Sequence, residues 1–306
     1  MTINSTSQEK LLIIGCGDIG QRLAQQLDPD RYRLTGLRRN PPEDLPCLHY
    51  RACDVTQVDQ LDAIVGRESF DVIVISMTPA ERSDAGYKQA YVHSCRNLVA
   101  GLKRHQRQPR LIIFVSSTAV YGQNDGSWVD EQSPTEPDSF SGKRLLEAEQ
   151  IIQQSGFVHC IVRFSGIYGP GRYRLIEQVK QGRASASPHY TNRIHADDCA
   201  GVLRHLIELQ HRQALAGVYL ATDSSPTSML EVVSWIAGQL GVGDFLESDA
   251  VNERGNKCIS NKRLLASGYE LLHKDFRSGY VALIHEYETG DTKLQTIKNP
   301  ALGQVF

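Results

Sequence analysis

Two periodicities alternate along the first 165 residues. Short, largely apolar runs appear at "KLLIIG" (10–15), "RYRLTGL" (31–37), "LHYRACDV" (48–55), "FDVIVIS" (70–76), "RLIIFVSS" (110–117) and "FVHCIVRF" (157–164). Runs of this length with apolar residues on both faces predict buried strands. Between them apolar residues recur at helical spacing: Ile19, Leu23 and Leu27 in 17–27, then Leu61 and Ile64, a long stretch over 85–105, and another from about 139 to 154. Strands alternating with helices predict an α/β fold, a doubly wound parallel sheet covered on both sides.

After residue 165 the pattern becomes irregular, with Gly, Pro, Tyr and Arg clustered. Later helices are predicted over 196–210 and 227–240, and a strand at "GVYLAT" (217–222). The expected division is a Rossmann-type dinucleotide-binding domain over 1–165 and a small C-terminal substrate lobe over 166–306, with the chain returning to the sheet. Such a lobe would pack over the carboxyl edge of the strands, where open α/β sheets bind ligands.

The glycine turn "IIGCGDIG" changes the picture from fold to chemistry. Gly15, Gly17 and Gly20 follow a predicted strand and open a predicted helix. The first glycine permits a tight turn, the second lets backbone approach a pyrophosphate, and the third lets helix pack on strand. With Asp18 and Ile19 they form a candidate phosphate site at a helix N-terminus. At the end of the second strand stand Arg38 and Arg39, with no acid before Glu43. A guanidinium binds a ribose 2′-phosphate and a carboxylate repels it, so NADP is expected over NAD. Asp54 ends the third strand and could accept from an adenine amino group or close a turn; Val55 and Ser76 complete the candidate cofactor contacts.

The net charge of −2 gives no reason to expect nucleic-acid or membrane-surface binding. No run of about 18 apolar residues could span a bilayer. The N-terminal "MTINSTSQEK" is polar, unlike a secretory signal. Seven cysteines without a CxxC read as reduced thiols packed as small hydrophobes in the cytoplasm, and the scattered histidines suggest no metal site.

Taken with GCGDIG, the stretches "FVSSTAVYG" (114–122), "RFSGIYGPGR" (163–172) and "RIHADDCA" (193–200) resemble the extended short-chain dehydrogenase/reductase superfamily, in its NAD(P)-dependent epimerase/dehydratase branch. "SNKRLLASGYELLHKDFRSGYVALI" (260–284) is similar to that family's C-terminal tail. The resemblance implies that Ser117 orients a substrate hydroxyl or carbonyl. It also implies a YxxxK pair, in which lysine holds the nicotinamide ribose and lowers the pKa of a tyrosine acting as acid and base. Lys143 in "PDSFSGKRLLEAEQ" (137–150) matches the lysine, but the position four earlier is Ser139, and no tyrosine lies between Tyr121 and Tyr168. The chain therefore looks like an atypical member lacking the YxxxK tyrosine, since a serine hydroxyl is far less acidic than a phenol.

Three accounts stay open. Tyr121 or Tyr168, both expected beyond strand ends at the crevice, supplies the proton. Alternatively, the substrate needs little acid help or takes its proton from water. In the third account the protein binds NADP(H) without turnover, as a sensor or scaffold. The resemblance also makes Arg193 a contact to a substrate phosphate, with a salt bridge to Asp197 or Asp198 as the structural alternative. Tyr168 and Arg172 are further candidate substrate contacts, for a nucleotide sugar or another small carbonyl compound. Asp197 and Asp198 read as first-turn acids and His195 as a packed or capping residue. Asp125, Asp130 and Glu131 form an acidic loop in which burial could raise a carboxyl pKa, and Trp128 could cover the nicotinamide pocket. The stretches 85–105 and 139–154 allow a homodimer as well as a monomer.

Overall fold

In the computed structural model, residues 8–243, 245–247 and 255–290 are described. The apolar runs become the strands β1 (Glu9–Ile14), β2 (Tyr32–Arg38), β3 (His49–Ala52), β4 (Val72–Ile75), β5 (Leu111–Ser117), β6 (His159–Phe164) and β7 (Val218–Ala221). All pair in parallel, in the order β7-β6-β5-β4-β1-β2-β3. The order reverses beside β1, which is flanked by β2 and β4. A crevice opens above the strand ends at such a point.

Successive residues of one strand feed opposite cores, as a pleated strand requires. Leu11 and Ile13 join Leu23, Cys199 and Leu203, from helices α1 (Asp18–Gln26) and α6 (Ala196–Leu209). Leu12 and Ile14 join Leu61, Leu98 and Leu145, from α2 (Val58–Arg67), α3 (Ser94–Arg104) and α4 (Phe140–Gln153). Each fully buried Leu or Ile stabilises the fold by roughly 1.5–3 kcal/mol relative to exposure, so the double-sided pattern holds the helices in place. A third cluster, including Ile176, Val233 and Phe276, joins α5 (Arg174–Lys180), α7 (Met229–Leu240) and α9 (Phe276–Thr289). A short α8 (Lys262–Ala266) precedes α9.

The long helix expected over 85–105 is interrupted. A turn of α-helix, Asp84–Tyr87, passes into a π-helical segment, Lys88–His93, before α3. Ala90, Tyr91 and Val92 are all buried there. The i→i+5 hydrogen bonding of the π segment shifts the angular register of the side chains that follow it into α3.

All seven cysteines are free, and all but Cys47 are buried. Among the described residues no helix is long and apolar enough to cross a membrane.

Candidate functional site

The glycine turn has the geometry its spacing predicts. Gly15 adopts φ +76°, in the left-handed region. A Cβ there would lie 2.7 Å from the Ser76 carbonyl oxygen and 2.8 Å from Met77 Sδ. At Gly17 the nearest atom to an added Cβ is the Gly15 carbonyl oxygen at 3.9 Å, so this face is open. At Gly20 a Cβ would press on Cys16 Sγ at 2.9 Å and Ile13 at 3.0 Å, which is close helix-to-strand packing. Gly17 caps α1 without a side-chain hydrogen bond. The N–H groups of its first turn, at Asp18 and Ile19, therefore meet no side-chain acceptor from the cap and suit an anion.

A cavity of about 650 Å³ runs from Gly15 and Gly17 past Arg38, Arg39 and Asp54 to Gln89. It has the size of a small-molecule or cofactor site. Arg38 is half-buried and Arg39 exposed, on its wall at the end of β2. Asp54 Oδ1 accepts from the Thr56 N–H at 3.0 Å and the Thr56 hydroxyl at 2.7 Å, so that oxygen closes a turn. Val55 lies on the same wall, its carbonyl held by Asn97 Nδ2 at 3.2 Å. These residues fit a dinucleotide: the bare cradle would take the pyrophosphate, and Arg38 and Arg39 stand on the cavity wall at the end of β2.

The turn after Ser117 and the helix that carries Lys143 pack together at Ala119 and Gly142. Ser117 Oγ accepts from the Ala119 N–H at 3.2 Å, capping a short 3-10 turn at Thr118–Val120. Gly142 packs so closely on that turn that a Cβ would fall on the Ala119 carbonyl and lie 2.5 Å from Pro137 Cβ. Lys143 follows in the first turn of α4, exposed, its side chain without a hydrogen-bond or ion-pair partner among the described residues. Ser139 lies outside the helix as its N-cap, its Oγ accepting from the Gly142 N–H at 3.2 Å.

The two tyrosines expected at the crevice are turned inward. Tyr121 is 2% exposed, and its hydroxyl accepts from Arg163 Nη1 at 2.6 Å. Burial pushes this phenol up to about 12, against the lowering effect of Arg163. Tyr168 stacks on Tyr280 at 4.8 Å, and its hydroxyl donates to the Asp275 carbonyl at 3.4 Å. Burial raises this phenol too. Neither is disposed to act as a base near neutral pH.

Arg172 reaches the glycine turn, its Nη1 2.6 Å from Asp18 Oδ2. Arg193 is buried and donates to Thr191 Oγ1 at 2.5 Å, with Met229 Sδ at 3.3 Å. The alternative of a bridge to Asp197 or Asp198 does not form. Asp197 pairs with Arg22 at 2.5 Å, and Asp198 accepts from Tyr269, Leu272 and His273 at 2.8–2.9 Å. His195 caps α6, its Nδ1 accepting from the Asp197 N–H.

In the acidic loop Asp125 and Asp130 are lowered, not raised. Turn hydrogen bonds to Ser127 lower Asp125, and those to Gln132 and Ser133 lower Asp130. Glu131 accepts from the Leu220 N–H at 3.0 Å. Trp128 is 65% exposed, on a strand pair with Cys258–Ile259.

The family described as RmlD substrate binding domain matches residues 9–254. The chain belongs to that family. It is 37% identical to a candidate NAD-dependent epimerase/dehydratase from Methylobacillus flagellatus, covering 92% of this chain and 100% of that one with a TM-score of 0.78. The human epimerase family protein SDR39U1, solved with NADPH, shares the fold at 20% identity, over 90% and 99% of the chains, with a TM-score of 0.73. MoeE5, solved with UDP-glucuronic acid and NAD, does so at 19% identity, over 92% and 100%, with a TM-score of 0.77. No curated protein matches the chain.

Within this RmlD-type frame, three groups escaped the sequence patterns. Tyr87 stands edge-on to Phe140 at 5.5 Å, where the lysine helix begins. Asp223, just past β7, is 2% exposed, and its Oδ2 has no hydrogen-bond partner among the described residues. Burial raises this carboxyl to about 7, with Arg193 opposing. His195, Asp197 and His273 bring ligand-type atoms within 4.8 Å of one another, and both His273 ring nitrogens are buried without a partner. Yet Asp197 is bound to Arg22. Burial, with His273, Arg22 and Arg172 adding to it, lowers His195 to about 3. A dication would have to displace Arg22 and sit among these positive charges, so the cluster reads as packing. Only tertiary contact distinguishes these groups, and no spacing in the chain signals them.

Proposed function

We propose that this RmlD-family chain binds NADP(H) and acts as an oxidoreductase or epimerase/dehydratase-like enzyme on a small carbonyl compound such as a nucleotide sugar. The observation that carries the cofactor part is the cavity running from the bare Gly15–Gly17 cradle to Arg38 and Arg39. The bound nicotinamide would supply hydride exchange. Ser117 Oγ, already accepting from Ala119, keeps its own proton to donate to a substrate oxygen. Lys143 presents an ammonium for ribose hydroxyls from a helix locked against the Ser117 turn. With Tyr121 and Tyr168 held inward and Ser139 spent as a cap, water delivers the proton. The protein would work in the cytoplasm, as a monomer or homodimer.

One observation favours a second reading, a non-catalytic NADP(H) sensor or scaffold. Both phenols weighed as replacements for the missing tyrosine are committed to interior contacts. Turnover separates the two. An enzyme consumes NADPH with a carbonyl substrate and loses that activity on Lys143→Met. A sensor binds NADPH, turns over nothing, and changes partner affinity with cofactor redox state.

Titration of both cofactors tests the shared core. NADPH should bind more tightly than NADH, and Arg38→Ala should weaken NADPH by about tenfold or more while sparing NADH. Equal binding of the two, or an unchanged NADPH affinity in Arg38→Ala, would remove the preference.

A further inference from the structure

We infer that Arg172 is a diphosphate-binding side chain that exchanges between Asp18 and the dinucleotide. This rests on the cofactor assignment proposed above and adds a residue to it. Asp18 is the first residue of α1 and sits in the turn whose N–H groups face the phosphate cradle. A carboxylate there opposes an incoming diphosphate. Two arginines offset it: Arg22 Nε lies 2.8 Å from Oδ1, and Arg172 Nη1 lies 2.6 Å from Oδ2.

The two partners are held differently. Arg22 is on α1 itself, four residues on, and its other end is fixed by Asp197 at 2.5 Å. Arg172 comes from the loop after the short strand Gly166–Tyr168, in "YGPGR", and its only other side-chain hydrogen bond among the described residues is to the Pro170 carbonyl at 3.5 Å. That loop turns on Gly169 and Gly171 at positive φ, +134° and +76°. An added Cβ at Gly171 would meet nothing within 4 Å, so the loop stands clear of neighbouring atoms there. The Arg172 and Asp18 side chains are 32% and 41% exposed. An ion pair so open to water contributes little, and a guanidinium gains more from a doubly charged diphosphate through charge-assisted bonds. Asp18 thus holds the place of the anion, and Arg22 keeps it partly neutralised when Arg172 moves across.

Two substitutions break the same bond and should act in opposite directions. NADPH affinity is measured by calorimetry on the full chain at fixed ionic strength. Arg172→Ala should weaken binding about tenfold, and Arg172→Lys should restore most of the loss. Asp18→Asn frees Arg172 and removes the competing carboxylate, so it should tighten binding about threefold. If both Asp18→Asn and Arg172→Ala weaken NADPH, the pair is a brace for the loop and the inference is wrong. It is equally wrong if Arg172→Ala binds as the wild type does. Wild-type protein that binds neither NADPH nor NADH would instead overturn the underlying cofactor assignment.

Discussion

Arg163 closes on Glu149 inside the fold, Nε to Oε1 at 3.0 Å and Nη2 to Oε2 at 2.6 Å, with side chains 5% and 0% exposed. Ser116 donates to the same carboxylate at 2.5 Å, and Tyr121 takes the remaining guanidinium edge. Removing one member strands a buried charge, so Arg163→Met should cost about 3–5 kcal/mol in urea denaturation. Replacing both partners, as Glu149→Leu with Arg163→Met, should cost markedly less. Tyr121→Phe, which loses one hydrogen bond, should cost about 1 kcal/mol.

Ser139 provides a contrast between position and role. Its Oγ is committed to the Gly142 N–H. Ser139→Ala should therefore lower stability by about 1 kcal/mol, the usual loss of an N-cap, while NADPH affinity is unchanged. A large drop in affinity without loss of stability would place Ser139 in the site instead.

Asp223 sets a pH dependence. Its folded-state value, raised by burial to about 7 from 3.8, means the folded chain holds a proton that the unfolded chain releases between those values. Stability should fall as pH rises through that window, by up to about 1.4 kcal/mol per pH unit, and level off above it. Arg193 opposes the shift and Asp275 and Asp198 reinforce it. His195, lowered to about 3, acts in the other direction, adding stability as pH rises from 3 towards 6.5. The contribution of Asp223 is isolated by subtracting wild-type from Asp223→Asn melting curves between pH 5 and 8. The advantage of the variant should grow with pH, and a flat difference would mean that the carboxyl does not titrate there.

Gly15→Ala tests the cradle. The new methyl would meet Ser76 and Met77, on a backbone at φ +76° that L-residues avoid. The strain alone should cost about 1–2 kcal/mol, and NADPH binding should be lost with it. A variant that binds normally would place the cofactor elsewhere.

The parallel sheet was legible because its strands are apolar on both faces and its helices keep one stripe. The glycine turn was legible because each glycine answers a separate steric demand within six residues. Arg38 and Arg39 were locatable from the strand end alone. What escaped depended on partners distant in sequence. Arg163 lies 42 residues from Tyr121 and takes its hydroxyl. Arg172 lies 154 residues from Asp18, and no local pattern aims one at the other. The break in the helix over 84–104 was hidden for a similar reason. Ala90, Tyr91 and Val92 read as part of a continuous helix, and no local residue pattern marks the change to π hydrogen bonding.

The tight seat of Gly142 on Ala119 has a mechanical consequence. With no room for a methyl between them, the start of the lysine helix is seated on the turn that Ser117 caps. The cavity wall between Ala80 and Gln89 is tied to the same helix, by Asp84 to Arg144 at 2.8 Å and by Tyr87 edge-on to Phe140 at 5.5 Å. Slow hydrogen exchange should therefore extend over the turn, the helix start and that wall together.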